Sequence, residues 1–189
     1  GYYEVRCITP PSVGIWSAFW LMPDGGAAGM SENDIKGTGT DGLEVDVMES
    51  PYMYMDSSPY NVHVVHGEGY SDTRSDRSAT YEVPGMYSRY HTYGVLWTEE
   101  EYVFYIDGRE TWHTKYSPDG ETLGVSQVEE YLLLTVEVGG YQAEDGTLHP
   151  GVTLENGEEV PYWCGNPDDN DKTKAYDFII DYVRVYQVV

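Results

Sequence analysis

Tyr102-Val-Phe-Tyr-Ile-Asp-Gly-Arg-Glu-Thr-Trp-His-Thr114 decides the architecture. Tyr102, Phe104 and Ile106 recur with a period of two, the spacing that sends side chains to one face of a β-strand. Asp107-Gly108 then supplies a pair that readily takes the positive-φ conformations of a tight turn, so Arg109 to Thr114 reads as the returning strand of a hairpin.

The same period extends outward from this hairpin. It recurs in Tyr3-Val5-Cys7, in Leu43-Val45-Val47 and in Val62-Val64. The stretch from Phe178 to Val188 carries apolar residues on both faces, as expected for a strand deep in a sandwich. Turn clusters stand between these runs, among them Pro23-Asp24-Gly25-Gly26, the Gly37 to Gly42 segment and Asn156-Gly157, and no amphipathic helix of three turns interrupts them. An antiparallel all-β sandwich or barrel follows. The 189 residues form one domain, 1–189, long enough to bury a core. Residues 141 to 175, rich in Gly, Pro, Asp and Asn, are too long for a simple connection and are a candidate cleft wall.

Charge narrows the function. Ten Lys plus Arg against 33 Asp plus Glu give a formal charge of −23, which repels phosphate backbones and anionic bilayers. Neither nucleic acid nor a membrane is an expected partner. No run of about 18 apolar residues is present, and the opening GYYEVRC lacks the layout of an export signal. Tyr 19 and Trp 5 against Phe 3 supply flat rings with a polar handle, suited alike to strands and to sugar-binding clefts. Cys7 and Cys164 are the only cysteines; one disulfide and two free thiols both remain open, and the pair has no metal-site spacing.

Chemistry shows itself in Gly42-Leu-Glu-Val-Asp-Val-Met-Glu-Ser50. In a regular strand Glu44 and Asp46 share a face opposite Leu43, Val45 and Val47, and Glu49 falls on the core side. A one-residue β-bulge at Val47-Met48 would bring all three acids to one face, and bulges are common where a side chain must be re-aimed beside a reaction centre. Clustered carboxylates repel one another, which raises the proton affinity of one of them, as glycoside hydrolysis requires.

Glu44-Val-Asp-Val-Met-Glu49 resembles the E-x-D-x-x-E signature of the bulged branch of glycoside hydrolase family 16, which includes laminarinases and lichenases. Gly14-Ile-Trp-Ser-Ala-Phe-Trp-Leu-Met-Pro23, Tyr90-His-Thr-Tyr-Gly-Val-Leu-Trp97, Tyr102 to Gly108 and Ile180-Asp-Tyr-Val-Arg-Val-Tyr-Gln187 resemble further segments of that family in the same order, together spanning nearly the whole chain. The resemblance implies a concanavalin-like jelly-roll sandwich with a concave cleft. It implies a secreted, monomeric endo-acting retaining enzyme with Glu44 as nucleophile, Glu49 as general acid/base and Asp46 as their helper. It also implies that His63, rather than His66, faces the cleft beside Asn61, with Trp16 and Trp20 at aromatic positions of the family and Trp20 as a sugar platform. Trp112, after the hairpin, and Trp163, in the long loop, are further candidates, since flat rings stack on the apolar faces of glucose. Arg74 and Arg77 are candidate contacts to sugar hydroxyls.

Relatives carry several strands before the segment matching Tyr2 to Arg6, and this sequence starts at that segment. No cofactor is required for the family's catalysis. Its structural calcium would use Asp181 together with backbone oxygens from that preceding region. The expected substrate is a neutral β-1,3- or mixed β-1,3/1,4-glucan. Alternatives are another polysaccharide such as agar or porphyran, or a non-catalytic carbohydrate-binding sandwich. Sulfated galactans call for basic residues, which this chain has few of, and the xyloglucan-active branch usually lacks the extra residue of the signature.

Overall fold

The computed structural model describes residues 1–23, 42–51, 59–66, 75–115, 124–138, 141–142, 148–149, 152–153, 159–160 and 167–187. In chain order the strands are β1 (Tyr2–Ile8), β2 (Ile15–Pro23), β3 (Glu44–Pro51), β4 (Tyr60–His66), β5 (Ser75–Arg77), β6 (Tyr81–Glu82), β7 (His91–Trp97) and β8 (Glu101–Ile106). They continue with β9 (Arg109–Lys115), β10 (Glu130–Val138), β11 (Tyr141–Gln142), β12 (Leu148–His149), β13 (Val152–Thr153), β14 (Glu159–Val160) and β15 (Ile179–Tyr186).

Two antiparallel sheets form the sandwich. One runs β15-β1-β7-β8-β9, and the other runs β10-β2-β3-β4-β5 with β6 paired to β4. The predicted hairpin is the β8–β9 pair. Its turn residues Asp107 and Gly108 have φ of 50° and 71°, the left-handed values for which the Asp-Gly pair was read. Alternation supplies the core from both sheets. Val5, Tyr93, Val95, Tyr102 and Phe104 come from the first; Phe19, Leu21, Val45, Val47, Met48 and Val65 come from the second; all are buried. Cys7 sits among them as a free thiol, its pKa pushed up to about 12 by burial, while Cys164 lies outside the described residues.

Two expectations are revised. The last strand is not deep in the sandwich: β15 is the edge of its sheet, with Val185 54% exposed, Ile180 40% and Val183 37%. By register Val183 and Val185 pair with Val5 and Tyr3, so an apolar row runs outward from the core onto an uncovered edge. Apolar residues on both faces therefore mark here a strand without an opposing sheet among the described residues. The 141–175 stretch also contains ladder structure, the pairs β11–β12 and β13–β14, followed by a 3-10 turn at Pro167–Asp169. Asn170 ties that turn back to the sandwich, accepting from the Val13 amide at 2.9 Å and donating to the Val13 carbonyl at 2.8 Å.

Candidate active site

Strand β3 carries the acids, and its register breaks where the sequence calls for it. Against β2, Phe19 pairs with Met48 and Trp20 with Asp46, which leaves Val47 as the extra residue. Against β4, Asp46 pairs with Val64 and Glu49 with Val62, so Val47 and Met48 together oppose His63 alone. Two residues facing one define a β-bulge, which tightens the local twist and shifts the pleat. Val45, Val47 and Met48 are all fully buried, while Glu44, Asp46 and Glu49 line one cleft of about 240 Å³ on the other face.

Strand β2 builds the neighbouring wall. Trp16, Ala18 and Trp20 alternate onto the cleft face, and Ala18 stands directly across the ladder from Glu49. A methyl group between two indoles leaves a notch beside that carboxyl. Trp20 is fixed by its indole N–H, which donates to Thr135 Oγ1 of β10 at 3.0 Å. Thr135, Glu137, Ala18 and Val64 complete the described lining, and none of these four was picked out from the sequence. The available signal was the pair Thr135 and Glu137, polar at a period of two inside the otherwise apolar Tyr131 to Val138 run. Four carboxylates and no Lys or Arg occupy the described lining, a negative cleft suited to an uncharged ligand.

Several expected contacts are elsewhere. His63 and Asn61 are 0% exposed and lie on the core side of β4, because the residues that pair with the acids on the cleft face are Val62, opposite Glu49, and Val64, opposite Asp46. The His63 ring lies 4.8 Å from that of Phe104 and 5.7 Å from that of Tyr81. Burial lowers its pKa to about 4, against the opposing pull of a bond to the Val47 carbonyl, so the imidazole is neutral. Trp112 belongs to the opposite sheet, where it stacks on Phe104 at 5.0 Å and packs against the core. Arg77 pairs with Val64 at the exposed edge of the cleft sheet. Arg74 and Trp163 lie outside the described residues.

Asp181 forms an ion pair with Arg6 on the outside of the first sheet, where β15 bulges against β1. A cation beside that guanidinium is disfavoured, and the described residues contain no cluster of three or more His, Cys, Asp or Glu able to hold a metal. Among the described residues, the one carboxylate expected to hold calcium is thus engaged by Arg6.

A larger hollow of about 860 Å³ opens at the end of the sandwich, between Gly1, Tyr3, Trp97 and the Ser126 to Glu130 segment, away from the three acids. It holds a buried carboxyl, Glu130, whose pKa burial pushes up to about 7, partly offset by Ser126 and the Leu43 backbone. Neither carboxyl oxygen meets a donor at hydrogen-bonding geometry among the described residues, so those two approaches are weak. Glu99, Glu129, Glu130 and one indole, Trp97, line this hollow, but no bulged strand sets its acids along one face between two indoles, and the smaller cleft is the better candidate for chemistry.

Comparison with known proteins identifies the family. The sequence pattern described as glycosyl hydrolases family 16 matches residues 1–155. An endo-1,3-1,4-beta-glycanase, ExsH, of Rhizobium meliloti (strain 1021) is 30% identical over 96% of this chain, and the beta-glucanase of Rhodothermus marinus is 24% identical over 100% of it. The chain spans 31% of the first relative and 58% of the second. Among solved structures, the laminarinase catalytic domain from Thermotoga maritima MSB8 superimposes with a TM-score of 0.65 at 26% identity, covering 100% of this chain and 64% of that one. With the acid-bearing bulge and the two-sheet sandwich in place, these matches establish that the chain belongs to the glycosyl hydrolases family 16.

Proposed function

We propose that this chain cleaves β-1,3- or mixed β-1,3/1,4-glucan at internal linkages with retention of anomeric configuration. One observation carries the reading: the β3 bulge sets Glu44, Asp46 and Glu49 along a single cleft between Trp16 and Trp20. In this mechanism the Glu44 carboxylate attacks the anomeric carbon while Glu49 donates its proton to the departing glycosidic oxygen. Glu49 then takes a proton from water, which displaces Glu44 and releases the sugar. Retaining pairs work at about 5 to 5.5 Å between carboxyl groups. Asp46, in phase with Glu44 on the strand, orders the nucleophile's hydrogen bonding and, through its own charge, helps keep Glu49 protonated.

The indoles supply flat apolar faces for glucose rings, and the negative lining favours a neutral glucan over a sulfated galactan. The names of the glycanase and laminarinase relatives support the same substrate class. A polymeric glucan does not cross a bilayer, which supports a secreted enzyme, and all the described lining comes from one copy of the chain, which supports a monomer. Turnover of laminarin, barley β-glucan, agarose and carrageenan, compared with Glu44→Gln, tests the reading. Hydrolysis of the first two, lost in the variant while binding persists, is expected, and early-time NMR should show a product of retained configuration. Binding without hydrolysis of any of the four would replace the enzyme with a carbohydrate-binding sandwich.

A further inference from the structure

The bulge that aims Glu49 has a side-chain anchor. His63 is the single residue opposing Val47 and Met48, and its Nδ1 lies 2.7 Å from the Val47 carbonyl oxygen. A carbonyl only accepts, so in the neutral imidazole the proton sits on Nδ1 and Nε2 is an acceptor. Nε2 is 2.9 Å from Thr111 Oγ1, whose hydroxyl also faces the Phe104 carbonyl at 3.0 Å. Thr111 is in turn held by the Tyr81 hydroxyl, which donates to its carbonyl. The backbone of His63 is fixed on its other side. Its N–H donates to Ser78 Oγ at 3.0 Å and its carbonyl accepts from the Ser78 amide at 2.9 Å. A fully buried, neutral ring, met at Nε2 by Thr111 of the opposite sheet, thus holds the one peptide of the neighbouring strand whose placement decides which face Glu49 takes.

We infer that His63 is a positioning residue, which fixes the bulge at Val47-Met48 through its Nδ1–H and so sets Glu49 relative to Glu44 and Asp46. This rests on the functional reading above for its effect on turnover. It does not rest on it for the anchoring itself. The role differs from sugar contact, since the ring never reaches the cleft.

Two isosteres separate the nitrogens. In His63→Asn the amide NH2 overlies Nδ1 and still donates to Val47; in His63→Gln it overlies Nε2, keeping the Thr111 contact and losing the bulge. H63N should keep kcat within about three-fold. H63Q should lose on the order of 10- to 100-fold in kcat with KM little changed, the scale of an ångström-level misplacement of a reacting group. The alkaline limb of its kcat profile should also move, because the surroundings of Glu49 change. Amide hydrogen exchange at Met48 and Glu49 should accelerate in H63Q and not in H63N, whether or not a substrate is known. Thr111→Val, which removes the hydroxyl at Nε2 and lets the ring tilt, is the second variant should H63Q fold poorly, and is expected to show the same changes more weakly. An active wild type with H63N and H63Q indistinguishable in kcat, pH profile and exchange overturns the assignment. A wild type inactive on every glucan, with exchange still separating H63Q from H63N, overturns the functional reading and leaves the anchor standing.

Discussion

Replacing Glu130 with Gln should stabilise the protein in alkaline solution and do much less in acid. Glu130 is buried beside Tyr3 and Tyr102, and its carboxyl pKa rises from 4.5 to about 7, chiefly through desolvation. A carboxyl raised in this way binds more protons in the folded chain than in the unfolded one between those two values. Stability therefore falls as pH climbs through that window, and the whole penalty is present above pH 7. The gap, at about 1.36 kcal/mol per pH unit, is worth about 3 kcal/mol. Gln mimics the neutral acid and never ionises. E130Q should then gain about 2 to 3 kcal/mol at pH 8, or roughly 5 to 10 °C in Tm, and less than about 1 kcal/mol at pH 5. Urea denaturation at both pH values, with hydrolysis followed in parallel, gives the comparison. An equal effect at pH 5 and pH 8, or a loss at pH 8, would refute the claim that Glu130 is forced to ionise in a dry setting.

Three further outcomes follow from the geometry. Thr135→Val removes the acceptor of the Trp20 indole N–H and should lower kcat/KM for glucan by about two- to ten-fold, mainly through KM, the range of one neutral hydrogen bond. Gly42 has φ of 96° and an added Cβ would meet Pro23 Cβ at 2.4 Å, so Gly42→Ala should cost upwards of about 2 kcal/mol in urea denaturation and shift the entry to the acid-bearing strand. Gly108→Ala, at φ of 71° with nothing within 4 Å, carries backbone strain alone and should cost only about 1 kcal/mol in the same assay; equal losses at the two sites would disprove the steric argument at Gly42.

Much of the sandwich was readable because its signals are local. Tyr102, Phe104 and Ile106 announce a face, Asp107-Gly108 announces a left-handed turn, and neither depends on what packs against them. The bulge was legible for a different reason: without it Glu49 would be driven into a core that Val45 and Val47 already fill. What escaped was register between strands. Val62, Val64 and Val65 make both faces of β4 apolar, so the sequence does not say which face His63 takes, and the ladder, with Asp46 opposite Val64 and Glu49 opposite Val62, settles the alternation against it. Trp112 escaped likewise, since its own strand was foreseen but not the sheet that strand joins. The contribution of Thr135 to the cleft depends on β10 pairing with β2, a contact between residues more than a hundred positions apart.

The uncovered row on β15 links the acidity of the chain to its colloidal behaviour. Among the described residues β15 is an edge, and an edge with Ile180, Val183 and Val185 exposed offers backbone groups and apolar side chains together, a template onto which another strand readily adds. Each copy also carries a formal charge of −23, and like charges hold such edges apart for as long as they are felt. That reach shrinks from about 10 Å in 0.1 M salt to about 3 Å in 1 M. Salt, or acid that protonates the carboxylates, thus lowers the barrier between two such edges without altering a contact among the core residues of the sandwich.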